Sequence, residues 1–248
     1  MSKLFRNGSA VNDARRDEVL NQAEEKGAEE LRTYKIRLEG TTPLIMHADA
    51  LDQQARLDAW RTEPRNRALS VAGDDRSPPW TWQTYLYNDG EFVVIPEANI
   101  RACLMEAGKK CPKSKGRGAG SLKVEAVSGI LLDAPLLPFY VKGKRIEMKD
   151  VIAIDSVAFQ DHIAGAQALG FDVLVKRATI GQSKHIRARP VFRSWSSEFV
   201  ITVVSDVLTK ALIERIWQVA GTLVGLCDWR PGAKKSPGPY GQFKATIE

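Results

Sequence analysis

An apolar stripe at helical spacing, Leu208, Leu212, Ile213, Ile216, Val219, Ala220 and Leu223, runs into Gly225; after a loop the chain closes on Phe243, Ala245 and Ile247 in alternation. The stripe reads as an amphipathic helix and the closing residues as a half-buried strand. The strand behind the loop reads as structural, an edge strand of the core. The intervening loop places Gly232, Gly238 and Gly241 among Pro231, Pro237 and Pro239, and adds Arg230, Lys234 and Lys235. Glycine lets a backbone approach a ligand and lysine supplies charge for phosphate. The prolines fix the loop's shape while removing amide donors from it.

The earlier elements limit the sheet further. Residues 34–39 (YKIRLE) alternate as a strand does, and an apolar run resumes at Leu44. Residues 46–90 read as an insertion, a lid or thumb, because 48–77 are polar and 72–79 are rich in turn residues. Residues 91–95 form a strand candidate, and Pro96 with Glu97 opens a helix whose Ile100, Cys103, Leu104 and Ala107 share a face. Short strands are expected at 128–132, 138–141 and 198–204, while 150–172 fit no single period. In order these give an α+β chain with a β-α-β-β-α-β core, the modified ferredoxin-like plan of RNA-recognition-type domains, carrying long insertions. That core spans 34–248; the charge-rich residues 1–33 read as a solvated helix or arm.

Lysine and arginine number 36 against 30 acidic residues, a formal charge of +6. Such a balance favours polyanionic partners, but the excess is small, so its distribution matters more. Cys103, Cys111 and Cys227 are widely spaced and form no C-x-x-C pair; neither a disulfide framework nor a zinc site is expected, and a reducing cytoplasm fits. No stretch approaches the roughly 18 apolar residues of a membrane span, so no membrane partner is expected. No phosphate-binding G-x-x-x-x-G-K-[ST] occurs, and neither a cofactor nor a metal is expected.

The cations are clustered. Residues 109–123 hold Lys109, Lys110, Lys113, Lys115, Arg117 and Lys123 with three glycines and no acid. Residues 173–197 hold Lys176, Arg177, Lys184, His185, Arg187, Arg189 and Arg193, again with no acid. If extended, that second segment puts Arg187 and Arg189 on one face, a strip suited to a sugar-phosphate chain. The plain alternatives are a solvated loop and a strand with a solvated basic face. Phe192, Trp195, Trp229 and Tyr240 are candidates for stacking on bases, whereas Trp217 belongs to the core. Catalytic patterns are weaker: His47 with Asp49 and Asp52 has the types for a small acid-base or metal cluster, though Asp and His after a turn are commonly just caps, and His185 could serve as a general base in RNA cleavage, though a hydrogen bond to backbone is its commoner role.

Taken together, IRLEGTTPLIMHAD, VIPEANIRACLMEAGKK, RARPVFRSWSSEFVITVVSD and IERIWQVAGTLVGLCDWRPG with PGPYGQFKATI resemble successive parts of the RAMP superfamily, and most of all the repeated backbone subunit of CRISPR effector complexes. The resemblance implies a non-enzymatic subunit that binds single-stranded guide RNA without sequence preference. It also implies a head-to-tail homo-oligomer joined to other effector-complex subunits, with the insertion reaching a neighbour as a thumb. Gly225, Arg230, Gly238 and Gly241 match the family's glycine-rich loop, and Arg101 matches a basic residue of its first helix. Pro239-Tyr240 departs from the family's loop. In some members an acid after the first strand cuts target RNA, a position Asp49 or Asp52 could fill, so an endoribonuclease is the alternative. A mobile-element protein of the same fold that binds single-stranded nucleic acid is another.

Overall fold

A computed structural model describes residues 31–49, 51–114, 118, 120–180 and 183–248. The chain divides into Met1–Arg32 and Thr33–Glu248, and the second unit holds the fold. The arm expected at the N-terminus lies, through residue 30, outside the described residues.

The architecture is mixed α+β with antiparallel sheets. The larger sheet has the order β10-β1-β9-β4, with β6 added beside β9. β1 (Arg32–Gly40) buries Ile36 and Leu38 and turns Lys35 and Arg37 outward, where both pair with Glu198. The C-terminal strand β10 (Phe243–Ile247) returns antiparallel to it, from Gly40 opposite Phe243 to Ile36 opposite Ile247. β9 (Trp195–Val203) buries every second residue along its length, the signature of a strand with one face on a core. β4 (Ile130–Leu132) and β6 (Tyr140–Val141) both pair antiparallel with β9.

Two helices pack on this sheet and on each other: α2 (Glu97–Lys110), entered through Pro96, and α6 (Lys210–Val219). α2 buries Ile100, Cys103, Leu104 and Ala107, the face expected from their spacing. Thr209 caps α6, its hydroxyl accepting from the Leu212 amide, and Trp217 meets Phe199 and Phe243 of the sheet edge to face or tilted. The stripe continues for one wider turn, Ala220–Val224, and stops at Gly225. β3 (Val94–Pro96) pairs with β5 (Leu136–Pro138), and α3 (Lys123–Ser128) fills the gap between α2 and β4.

A second sheet, ordered β2-β8-β7, is built from the segments that directly follow β1 and directly precede β9. β7 (Asp172–Ile180) and β8 (Ser183–Phe192) form one antiparallel hairpin in continuous register, and β2 (Leu44–Ile45) pairs with the end of β8. The insertion after β2 begins with α1 (Leu51–Thr62), yet its second half is core rather than lid. The tight helical turns Pro79–Tyr85 bury Trp82 completely, and Gln83 donates to the Val151 and Ile154 carbonyls at 3.0 and 3.1 Å. Trp82 stacks edgewise on Phe171, which packs on Phe192 at the hairpin's base. The stretch 150–172, which fits no single period, is occupied by two short helices, α4 (Met148–Ile152) and α5 (Phe159–Ala168), before β7. In α5 only His162 and Ala166 are buried, too few inward positions to show a repeat.

Candidate nucleic-acid interface

The hairpin places its cations by register alone. Lys176 stands opposite Arg187 and Leu174 opposite Arg189, and residues directly opposite in an antiparallel pair project to the same face. The loop after α6 is laid against this face because the Asp228 amide donates to the Ile45 carbonyl of β2 (3.0 Å) and the Gly241 amide to Pro43 (2.8 Å). Between hairpin and loop runs a groove of about 600 Å³, whose lining includes Lys176, Arg177, Arg187, Arg189, Trp229 and Lys235. Two segments that are basic in sequence thus meet across one cleft.

The arginines are held by a carboxylate from the insertion. Asp75, only 2% exposed, accepts from Arg187 Nη1 at 2.8 Å, Arg189 Nη1 at 2.7 Å, the Ala188 amide at 3.2 Å and the Tyr85 hydroxyl at 3.3 Å. The Asp75 amide donates to the Ile186 carbonyl and the Ile186 amide to Gly73, so the insertion runs beside β8. The Arg189 guanidinium also lies over the Tyr85 ring, 3.9 Å from its centre. A buried charge is tolerated only when it is paired and hydrogen-bonded, and Asp75 is both. One negative charge against two positive ones leaves the cluster cationic toward the groove.

His47 extends this network. Its Nε2 is 3.3 Å from Arg189 Nη2 and its Nδ1 is 3.6 Å from Asp228 Oδ2. A guanidinium only donates, so Nε2 is the acceptor and the ring proton sits on Nδ1, toward Asp228. Burial, and then the Arg189 charge, hold the imidazole below its ordinary value of 6.5, against the opposing pull of Asp228. His47 is therefore neutral near pH 7.

On the opposite wall, the Trp229 and Tyr240 rings stack with centres 5.3 Å apart, and Lys176 Nζ lies 3.7 Å from the centre of the Trp229 ring. Gly238 sits so close to Trp229 that a Cβ would overlap the indole edge. At Gly241, with φ of 73°, a Cβ would overlap the Leu226 carbonyl oxygen, so only glycine fits there. The amides of Gly232, Gly238 and Gly241 donate to the carbonyls of Val224, Arg230 and Pro43. These glycines shape the wall and spend their donors on backbone, leaving charge to Lys234 and Lys235.

The remaining sequence candidates scatter. Arg101 pairs with Glu97 and donates to the Val127 carbonyl, tying α2 to α3. Lys109 pairs with Glu106, whose carboxyl is held low by Lys109 and more weakly by Lys234 and Arg230, which puts the end of α2 near the C-terminal loop. Lys113 pairs with Glu125, and Lys110 is exposed; Lys115 and Arg117 lie outside the described residues. Arg193 pairs with Asp172 at the hairpin's base, Lys184 is exposed, and His185 is tucked against Gly73. Arg230 donates to the Cys227 carbonyl.

Two aromatic expectations are corrected: Phe192 and Trp195 are 0% and 4% exposed and belong to the core, so they cannot stack on a base. His47 meets Asp228 rather than forming a cluster with Asp49, which is exposed; the Asp52 side chain lies outside the described residues. Sequence reasoning did not identify Asp75, Asp228 or the role of Arg177. The alternation of Arg187 and Arg189 gave their shared face but no sign of the acid between them. Comparison of the chain with protein-family models and with curated proteins gave no match.

Proposed function

We propose that this chain is a non-enzymatic subunit that binds single-stranded RNA without sequence preference, in the manner of the backbone subunit of a CRISPR-type ribonucleoprotein. The observation that carries the reading is the groove itself: Lys176, Arg177, Arg187, Arg189 and Lys235, drawn from two distant segments, line one cleft. The sheet order β10-β1-β9-β4, with α2 connecting β1 to β4 along the chain and α6 connecting β9 to β10, supports a ferredoxin-like core. Guanidinium groups fixed by Asp75 offer their remaining N–H donors to phosphates, which positions a strand without reading its bases. Assembly head to tail along a guide RNA, with further effector subunits and with the insertion as a contact to the neighbour, belongs to the same proposal.

The test is purification of the full chain at low salt, identification of bound nucleic acid, and binding of labelled RNA across a salt series. Five cations set against Asp75 and Asp228 leave about three uncompensated in the groove, so the log–log salt slope for a single strand is roughly −2. Competition by DNA of the same sequence separates an RNA protein, which must contact the 2′-hydroxyl, from a general single-strand binder. A nucleic-acid-free monomer that ignores RNA at low salt refutes the proposal.

A second reading, RNA cleavage in the same groove, has one observation in its favour. The proton of neutral His47 lies on the nitrogen that faces Asp228, as in an oriented acid-base pair, and among the described residues neither Asp49 nor His185 has such a partner. Cleavage of labelled RNA by the wild type and not by His47→Ala supports it; no cleavage by the wild type removes it.

A further inference from the structure

We propose that the Trp229 ring is a stacking platform for one nucleobase of a bound single strand, covered by Lys176 in the free protein and uncovered when the base displaces the ammonium. The proposal rests on the RNA-binding reading above and names a subsite within it. Tyr240 does not line the groove and Lys176 does, so the indole face beneath the ammonium is the groove face. Tyr240 stacks on the ring and Gly238 abuts its edge, while the Trp229 backbone amide donates to Asp228 Oδ1 at 2.9 Å. Trp229 adopts φ of 49°, a left-handed conformation that a bulky side chain seldom takes.

A flat aromatic surface held rigid, with cations around it, is the arrangement by which single-strand binders hold bases. The cover is weak by comparison with the occupant. Lys176 is exposed, and an exposed cation–π contact is worth less than a stacked base. The displaced ammonium remains in the groove and meets a phosphate of the same strand, so the exchange runs forward only when base and phosphate arrive together. A free nucleobase without phosphate, or a polyanion without bases, satisfies one half of the site.

The experiment measures binding of the full chain to a fluorescein-labelled oligouridylate and, by competition, to inorganic polyphosphate as a base-free polyanion. Variants are Trp229→Leu and Trp229→Phe, each checked by far-UV circular dichroism and thermal unfolding. The expected result is a loss of about tenfold for Trp229→Leu on oligouridylate, with polyphosphate affinity unchanged and Trp229→Phe close to wild type. Lys176→Met should lower polyphosphate affinity and, at high salt, bind oligouridylate no worse than the wild type. Equal losses on both ligands for Trp229→Leu mean that the ring serves the fold and overturn the proposal. Unchanged oligouridylate binding overturns it while leaving the RNA-binding reading intact, and a wild type that binds neither ligand removes that reading itself.

Discussion

Replacing Asp75 by asparagine keeps the side chain's shape and removes the charge shared by two arginines. In the wild type this carboxylate is 3% exposed, while Arg187 and Arg189 keep 29% and 13% of their side-chain exposure. Removing one partner of a buried ion pair costs about 3–5 kcal/mol, because the other charge stays behind uncompensated. Water reaches Arg187 in part, and asparagine still offers one acceptor, so the lower end, about 3 kcal/mol, applies. For a chain of this size each kcal/mol moves Tm by about 2–4 °C, giving a fall of roughly 6–12 °C. Thermal unfolding followed by circular dichroism reads it directly. The drop should persist at about 1 M salt, since buried pairs are little screened, whereas Glu198→Gln on the exposed face of β9 should change stability by less than about 0.5 kcal/mol. The double variant Asp75→Asn/Arg189→Met should lose less than the sum of the singles. A Tm within about 2 °C of wild type for Asp75→Asn refutes the account of the cluster as a buried, mutually dependent unit.

Burial pushes the Cys103 and Cys227 thiols up to about 12, so neither should be alkylated by iodoacetamide at about pH 8 until guanidinium unfolds the chain; mass spectrometry that finds either one modified in the native protein contradicts this. His47 is held below 6.5 in the fold, so the unfolded chain takes up its proton first and stability falls as pH drops below that value. Urea unfolding of His47→Gln should show a flatter stability profile between about pH 7 and about pH 5 than the wild type, and parallel profiles discount the group. Gly241→Ala forces a Cβ onto the Leu226 carbonyl at positive φ and should cost more than about 1 kcal/mol in denaturant unfolding.

Much of the scaffold can be read along the chain, because its elements carry their own period. The alternation in β1, the stripe of α6 and the Pro96 start of α2 needed no tertiary information. The site is different, since its key contacts join distant residues: Asp75 reaches Arg187 and Arg189 across 112 and 114 positions, and Arg189 reaches His47 across 142. A pair of arginines at strand spacing shows which way they point, not which acid awaits them. The same gap explains the aromatics. Phe192 and Trp195 sit in a basic stretch and look available, but the hairpin's base turns them into the core beside Phe139. Residues 79–85 bury Thr81 to Tyr85 in succession, three of them polar, so neither a stripe nor an apolar run marks the segment as core beyond its tryptophans.

The clamp on Arg187 and Arg189 also bears on the thermodynamics of association. A free arginine gives up close to 2 kcal/mol of rotamer entropy when a ligand immobilises it. Asp75 imposes that ordering during folding, so a polyanion entering the groove finds these two side chains already still. Lys234 and Lys235, exposed on the loop, have no such restraint among the described contacts and must be ordered on binding. Calorimetry should therefore assign the lysines a larger unfavourable entropy per contact than the arginines, and loosening the clamp should erase the difference.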